Sequence, residues 1–266
     1  MKQDNNNKSD IDKSEILSFT KVEQLRTGSL GLYLLLRPED IIVGVNKELF
    51  RGGHKALNQL LKENEKSILT IFRKNTFFNV VANGPLGIGL IEVGSDEDED
   101  LIKKSEKYLK SIKSFDEYKE FEVYKGEKNT YNEIIITDIS LMASFFPFVW
   151  FFHHKLYMPL ILLGGTLLLL GSITWWLFLT AWVIITIYMS KGSTTLLRSY
   201  CLFNEMKIYM RIYANNNIEV QEVVRQIDKK SNYIFPLIDP PILDNIENNV
   251  IEKPIDNIKA PSAETS

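Results

Sequence analysis

Cysteine is nearly absent: Cys201 stands alone in 266 residues, which excludes an intrachain disulfide and any metal site built from several thiolates. Near an aromatic helix, a single cysteine reads as a small core side chain. Strong charge of one sign is missing too. A formal net charge of -3 leaves no whole-chain electrostatic case for nucleic acid, so no nucleic-acid partner is expected. The stretch from Met1 to Asp10 holds no apolar run, so no cleavable signal peptide is expected. Catalytic signatures are also lacking: there is no Gly-x-Ser-x-Gly, no phosphate-binding loop and no His-Glu-x-x-His. We therefore expect no enzyme activity, no cofactor and no metal ligands.

What is there is unevenly spread. All four tryptophans, Trp150, Trp175, Trp176 and Trp182, fall in one stretch, and no charged residue occurs from Leu156 to Ser190. Crossing a hydrocarbon core of roughly 30 Å takes about 20 helical residues. The 35-residue run is too long for one span unless strongly tilted, so two helices of about 15 to 18 residues joined at Gly171-Ser172 are expected. Ser144–Phe152 is aromatic, interrupted by Pro147 and followed by His153-His154-Lys155, a composition suited to the membrane–water interface. The two histidines are adjacent, which is not the i,i+4 spacing of helical metal ligands. Lys155 precedes the apolar run, and Lys191, Arg198, Lys207 and Arg211 follow it, which places both ends in the cytoplasm. The lipid bilayer is thus the first expected partner. A run without charge offers nothing for transport or intramembrane proteolysis.

Residues 30–93 alternate between strand and helix signals. Gly31–Leu36 reads as a strand, Arg37–Asp40 as a turn and Ile41–Val45 as a buried strand. Gly52-Gly53 precedes a helix from His54 to about Asn64, with Leu57, Leu60 and Leu61 on one face. Ser67–Phe72 and Phe77–Val81 read as a hairpin. Arg37-Pro-Glu-Asp-Ile-Ile-Val-Gly-Val-Asn46 and His54-x-x-Leu-x-x-Leu-Leu-Lys62 resemble the turn, strand pair and peptide-binding helix of PDZ domains. Two departures stand out: Glu39 and Lys47 occupy positions where that family carries glycine. The resemblance implies a groove in which an extended peptide adds to a sheet edge and loop N–H groups bind its terminal carboxylate. It also implies that His54, Asn58 and Leu61 form the helical wall. The carboxylate loop has two candidates: Leu86-Gly87-Ile88, in a permuted strand order, and Ser29-Leu-Gly-Leu32. Gly84–Gly89 as a plain chain turn remains open beside them.

Asp96–Asp100 opens a charged helix to about Ser114, its acidic residues suiting the helix dipole rather than a calcium loop. Glu120–Tyr124 and Asn132–Thr137 read as strands, Thr195–Asn204 as a helix, Met206–Tyr213 as a strand and Ile218–Asp228 as a helix. Ser144–Leu163 resembles a family of small bacterial membrane proteins of unknown function, similar over about residues 141–213, which implies an inner-membrane location. The expectation is an α+β chain in these parts: a disordered tail (1–14), a PDZ-like β/α domain (15–95), a connector (96–140) and an interfacial segment with a transmembrane helical hairpin (141–190). A small cytoplasmic α/β appendage (191–239) and a second disordered tail (240–266) complete it. Its expected role is that of a membrane-anchored scaffold or adaptor whose PDZ-like domain recruits a protein or peptide partner. The alternative is an accessory membrane subunit of a transporter or protease complex.

Overall fold

The computed structural model describes residues 18–93, 98–112, 114–126, 131–138 and 140–241. The terminal tails, the first residues of the acidic run and residues 113, 127–130 and 139 fall outside them. The chain is mixed α+β, with ten strands in one sheet and eight helices among the described residues.

The sheet begins with β1 (Thr20–Gln24), which pairs antiparallel with β2 (Ile41–Val45). Between them Gly31–Leu36 departs from the strand expected there. Ser29 accepts a hydrogen bond from Leu32 N and starts a one-turn helix, α1 (Leu30–Tyr33), and Leu35 then turns the chain at φ 58°. An apolar run alone does not separate strand from buried helix, and the cap decides it. β3 (Glu48–Leu49) folds back on β2 through Asn46 and Lys47, at φ 50° and 73°. Asn46 Oδ1 accepts from Ile68 N and ties that turn to the next strand.

Helix α2 (Gly53–Glu63) buries Leu57 and Leu61, one turn apart. It leads to β4 (Ser67–Arg73), which pairs with β5 (Thr76–Ala82) around the two-residue turn Lys74-Asn75. β6 (Gly89–Glu92) returns to pair with β1 at the end of the sheet. Under this half lies a buried ion pair: Arg73 Nε and Nη2 donate to the two Asp40 carboxylate oxygens at 2.7 and 2.6 Å. Arg37 N, at 2.7 Å, also donates to Asp40, which holds the turn after α1 closed.

After α3 (Asp98–Ser111), the strands β7 (Lys119–Gly126) and β8 (Tyr131–Ile136) form a hairpin. Four helices follow before the chain returns as β9 (Met206–Ala214), α8 (Asn217–Ile227) and β10 (Asn232–Tyr233). β9 lies between β7 and β5, so the strand order is β10-β8-β7-β9-β5-β4-β2-β1-β6, with β3 on β2. Strands from the segments read as PDZ-like domain, connector and appendage therefore share one sheet. One core runs beneath it, from Val22 and Leu57 to Val224 and Tyr233.

The four inserted helices are α4 (Leu141–Phe145), α5 (Pro147–His153), α6 (Tyr157–Ile173) and α7 (Trp175–Phe203). Pro147 sits at the first turn of α5, where its missing N–H costs nothing. The turn of the hairpin falls at Thr174, in extended backbone, and not at Gly171-Ser172. Glycine weakens a helix without stopping it, and the Ser172 hydroxyl donates to Leu169 O within the helix. α7 then continues unbroken for 29 residues, absorbing the separate helix expected from Thr195. Among the described residues it alone is long and apolar enough to cross a membrane by length and composition. α6, at 17 residues, falls short, so only one of the two expected spans meets that measure.

Candidate functional site

A strand at the end of a sheet leaves one row of backbone N–H and C=O groups without a strand partner. Here that strand is β6, whose one strand partner among the described residues is β1. Helix α2 lies close to it. His54 Nδ1 is 3.5 Å from Glu92 Oε1, and a Cβ on Gly53 would meet that same oxygen at 2.6 Å. Gly53, at φ 68°, sits in the left-handed region that favours glycine, with the Glu92 carboxylate close beside it.

The residues singled out from sequence lie around this edge in different ways. His54 and Asn58 are partly exposed on α2, one turn apart. Leu61 and Leu86 are 1% and 0% exposed and belong to the same core, where they hold helix and loop together. Gly87 is exposed at φ 67°, and Ile88 is partly buried ahead of β6. The surface left to a ligand is therefore His54, Asn58, Gly87, Ile88 and the β6 backbone. The two loop candidates turn out to be neighbours. Gly31 N donates to Leu86 O at 2.9 Å, and a Cβ on Gly31 would meet Ile88 Cγ2 at 2.6 Å, so α1 buttresses the loop. Glu92 was not anticipated; a lone acid in an apolar strand beside a glycine pair was the available signal.

A second set of functional-looking groups joins the sheet to the helices. Glu122 of β7 is 0% exposed and accepts from Arg198 of α7 at 2.7 and 3.0 Å, and from Arg211 of β9 at 2.9 Å. Tyr124 OH also donates to Glu122, and burial beside that carboxylate pushes its phenol up to about 12. Desolvation pushes His154 down to about 4, so its ring is neutral near pH 7. It packs edge-tilted on Trp150, 4.8 Å between centroids, instead of standing as a charged interfacial anchor. Cys201 is buried in the same layer.

Among the described residues no group of three or more His, Cys, Asp or Glu is placed to hold a metal ion. No family model, no curated protein and no solved structure matches this chain.

Proposed function

We propose that this chain is a membrane-anchored adaptor that recruits an extended peptide to the β6 edge. The observation that carries the reading is the outer edge of β6, which pairs with no second strand among the described residues, beside α2 and with the Leu86-Gly87-Ile88 loop at its start. A peptide lying there adds a strand through main-chain hydrogen bonds, while His54 and Asn58 meet alternate side chains. That order of loop, strand and helix is what a PDZ-like groove with permuted strands requires.

The anchor in this reading is the α6–α7 hairpin. Leu162, Leu168, Leu169, Ile173, Trp175, Trp176 and Ile184 all face outward from it, and only 11% of the most apolar window of α7 is buried. At ~1.5 Å per residue α6 is about 26 Å long, slightly under a hydrocarbon core of roughly 30 Å. The hairpin enters the bilayer with the sheet on the side of Lys155 and Lys191, which the positive-inside rule makes cytoplasmic.

The test is a C-terminal peptide library titrated against the full chain in nanodiscs. The reading expects selection at the last residues and loss of binding when the terminal carboxylate is amidated. No selection, with amidation tolerated, overturns it. The alternative, an accessory membrane subunit without peptide binding, draws on Glu92, whose carboxylate crosses the slot toward His54. Stoichiometric co-purification with other membrane subunits from gentle detergent would favour it.

A further inference from the structure

The seam between sheet and hairpin contains a cavity of about 390 Å³, lined by Glu133, Trp150, His153, His154, Ser193 and Phe235 among others. Glu133 is 6% exposed and lines this cavity, and the cation that acts on its charge is Lys155. Glu122, on the neighbouring strand and equally hidden, has two arginines. A carboxyl this far buried is costly to ionise, and a donor entering the cavity lowers that cost. His154 Nδ1 is a buried polar atom without a partner, and on a neutral imidazole it can serve as an acceptor.

The remaining walls are aromatic. His153 stacks on Phe235 at 5.5 Å and 9°, and His154 meets the same ring edge-on at 6.2 Å. Lys155 holds its own ammonium 5.2 Å above the Phe235 ring at the rim, so that ring already receives a cation. We propose that this cavity binds a small primary ammonium group, with the Glu133 carboxylate as counter-ion, His154 Nδ1 as second acceptor, and Trp150 and Phe235 as aromatic walls. A primary ammonium carries donors for both acceptors, whereas a quaternary one has none to give. The source is a free amine or an ethanolamine lipid headgroup reaching down from the hairpin; the free-amine case stands without the membrane reading.

Burial pushes Glu133 up to about 7, so ligand binding drives off its proton. The titratable and charged groups around it are Lys119 and Tyr124 from β7, Asp138 after β8, and His153 and His154 from α5. Lys155 after α5 and Cys201 from α7 complete the set. Affinity for the amine should therefore fall about tenfold per pH unit below 7.

The experiment is calorimetric titration of ethanolamine into the full chain in phosphatidylglycerol nanodiscs, with ethylene glycol and choline as neutral and donor-free probes. The proposal expects ethanolamine to bind at least tenfold tighter than either, with proton release seen as a buffer-dependent heat. Glu133→Gln should abolish binding, and Glu133→Asp should retain it weakly if the glutamine variant does not fold. Weakened apparent affinity in phosphatidylethanolamine nanodiscs identifies the headgroup as the source, and unchanged affinity identifies a free amine. No ethanolamine binding in either nanodisc, or equal binding of ethylene glycol, overturns the proposal.

Discussion

The sheet and the hairpin use the same apolar residue types for opposite purposes. In the sheet, Ile42, Leu69, Ile71 and Val80 are fully or almost fully hidden, and the polar Thr70 and Asn79 beside them are hidden too, Thr70 Oγ1 donating to Asn79 Oδ1. In α6 and the first half of α7, leucine, isoleucine and tryptophan such as Leu168, Ile173, Trp176 and Ile184 are exposed. Water explains the first arrangement: each large apolar side chain buried is worth about 1.5–3 kcal/mol. Water would oppose the second, which fits a surrounding that is itself apolar. The comparison also locates the buried charge. Asp40–Arg73 lies inside the first half of the sheet, and Glu122, Arg198, Arg211 and Glu133 gather where sheet meets hairpin. The pairs of Glu122 with Arg198 and Arg211 tie the sheet to α7.

Breaking the sheet side should have the largest effect. Asp40→Ala leaves the buried Arg73 guanidinium without its counter-ion, an expected loss of about 3–5 kcal/mol. Hydrogen exchange at β4 and β5 would report it, and unchanged protection would remove Asp40 from the account of stability. On the hairpin side, Leu168→Arg should cost about 3 kcal/mol of membrane insertion, while Ile218→Arg, exposed on α8, should stay within about 0.5 kcal/mol. Alkaline extraction of membranes separates the two. Equal recovery of both variants with the pellet would contradict the apolar surrounding.

The seam should show itself through pH. Glu133 has its folded pKa raised, so the native state holds more protons than the unfolded one. Its contribution is present below the unfolded carboxyl range and lost as pH rises through about 7. His154 acts oppositely: with its pKa lowered to about 4, its contribution is lost as pH falls through that value. The wild-type melting temperature should therefore drop between pH 6.5 and 8 and change little between 6.5 and 5. Glu133→Gln should remove the first drop and leave a steady decline on acidification. A wild type with no slope near pH 7 would show Glu133 to be solvated.

The smallest effect concerns backbone strain. Glu39 and Lys47 have φ of 75° and 73°, the left-handed region where the PDZ resemblance carries glycine. Lys47→Gly should relieve about 0.5–1 kcal/mol, measurable as a slight rise in melting temperature, because no β-carbon then crowds the turn. A fall would mean that the lysine side chain does more for the fold than its strain costs.

By itself the sequence determined the elements whose signals are local. The β-branched run Ile41–Val45, the Leu57/Leu61 stripe, the Ser67–Ala82 hairpin and the uncharged Leu156–Ser190 run are readable because periodicity and composition act over neighbours. Local capping was legible in principle at Ser29, yet the apolar run behind it pointed to a strand. Tertiary structure alone decided that β9 would enter between β5 and β7 and merge three segments into one sheet. It also decided that Leu61 and Leu86 would be core, that Glu92 would reach His54, and that Glu122 would find Arg198 while Glu133 would line the cavity. These are pairings between residues far apart in the chain, and they depend on register and on which face of a strand meets which helix. No window of neighbouring residues contains that information.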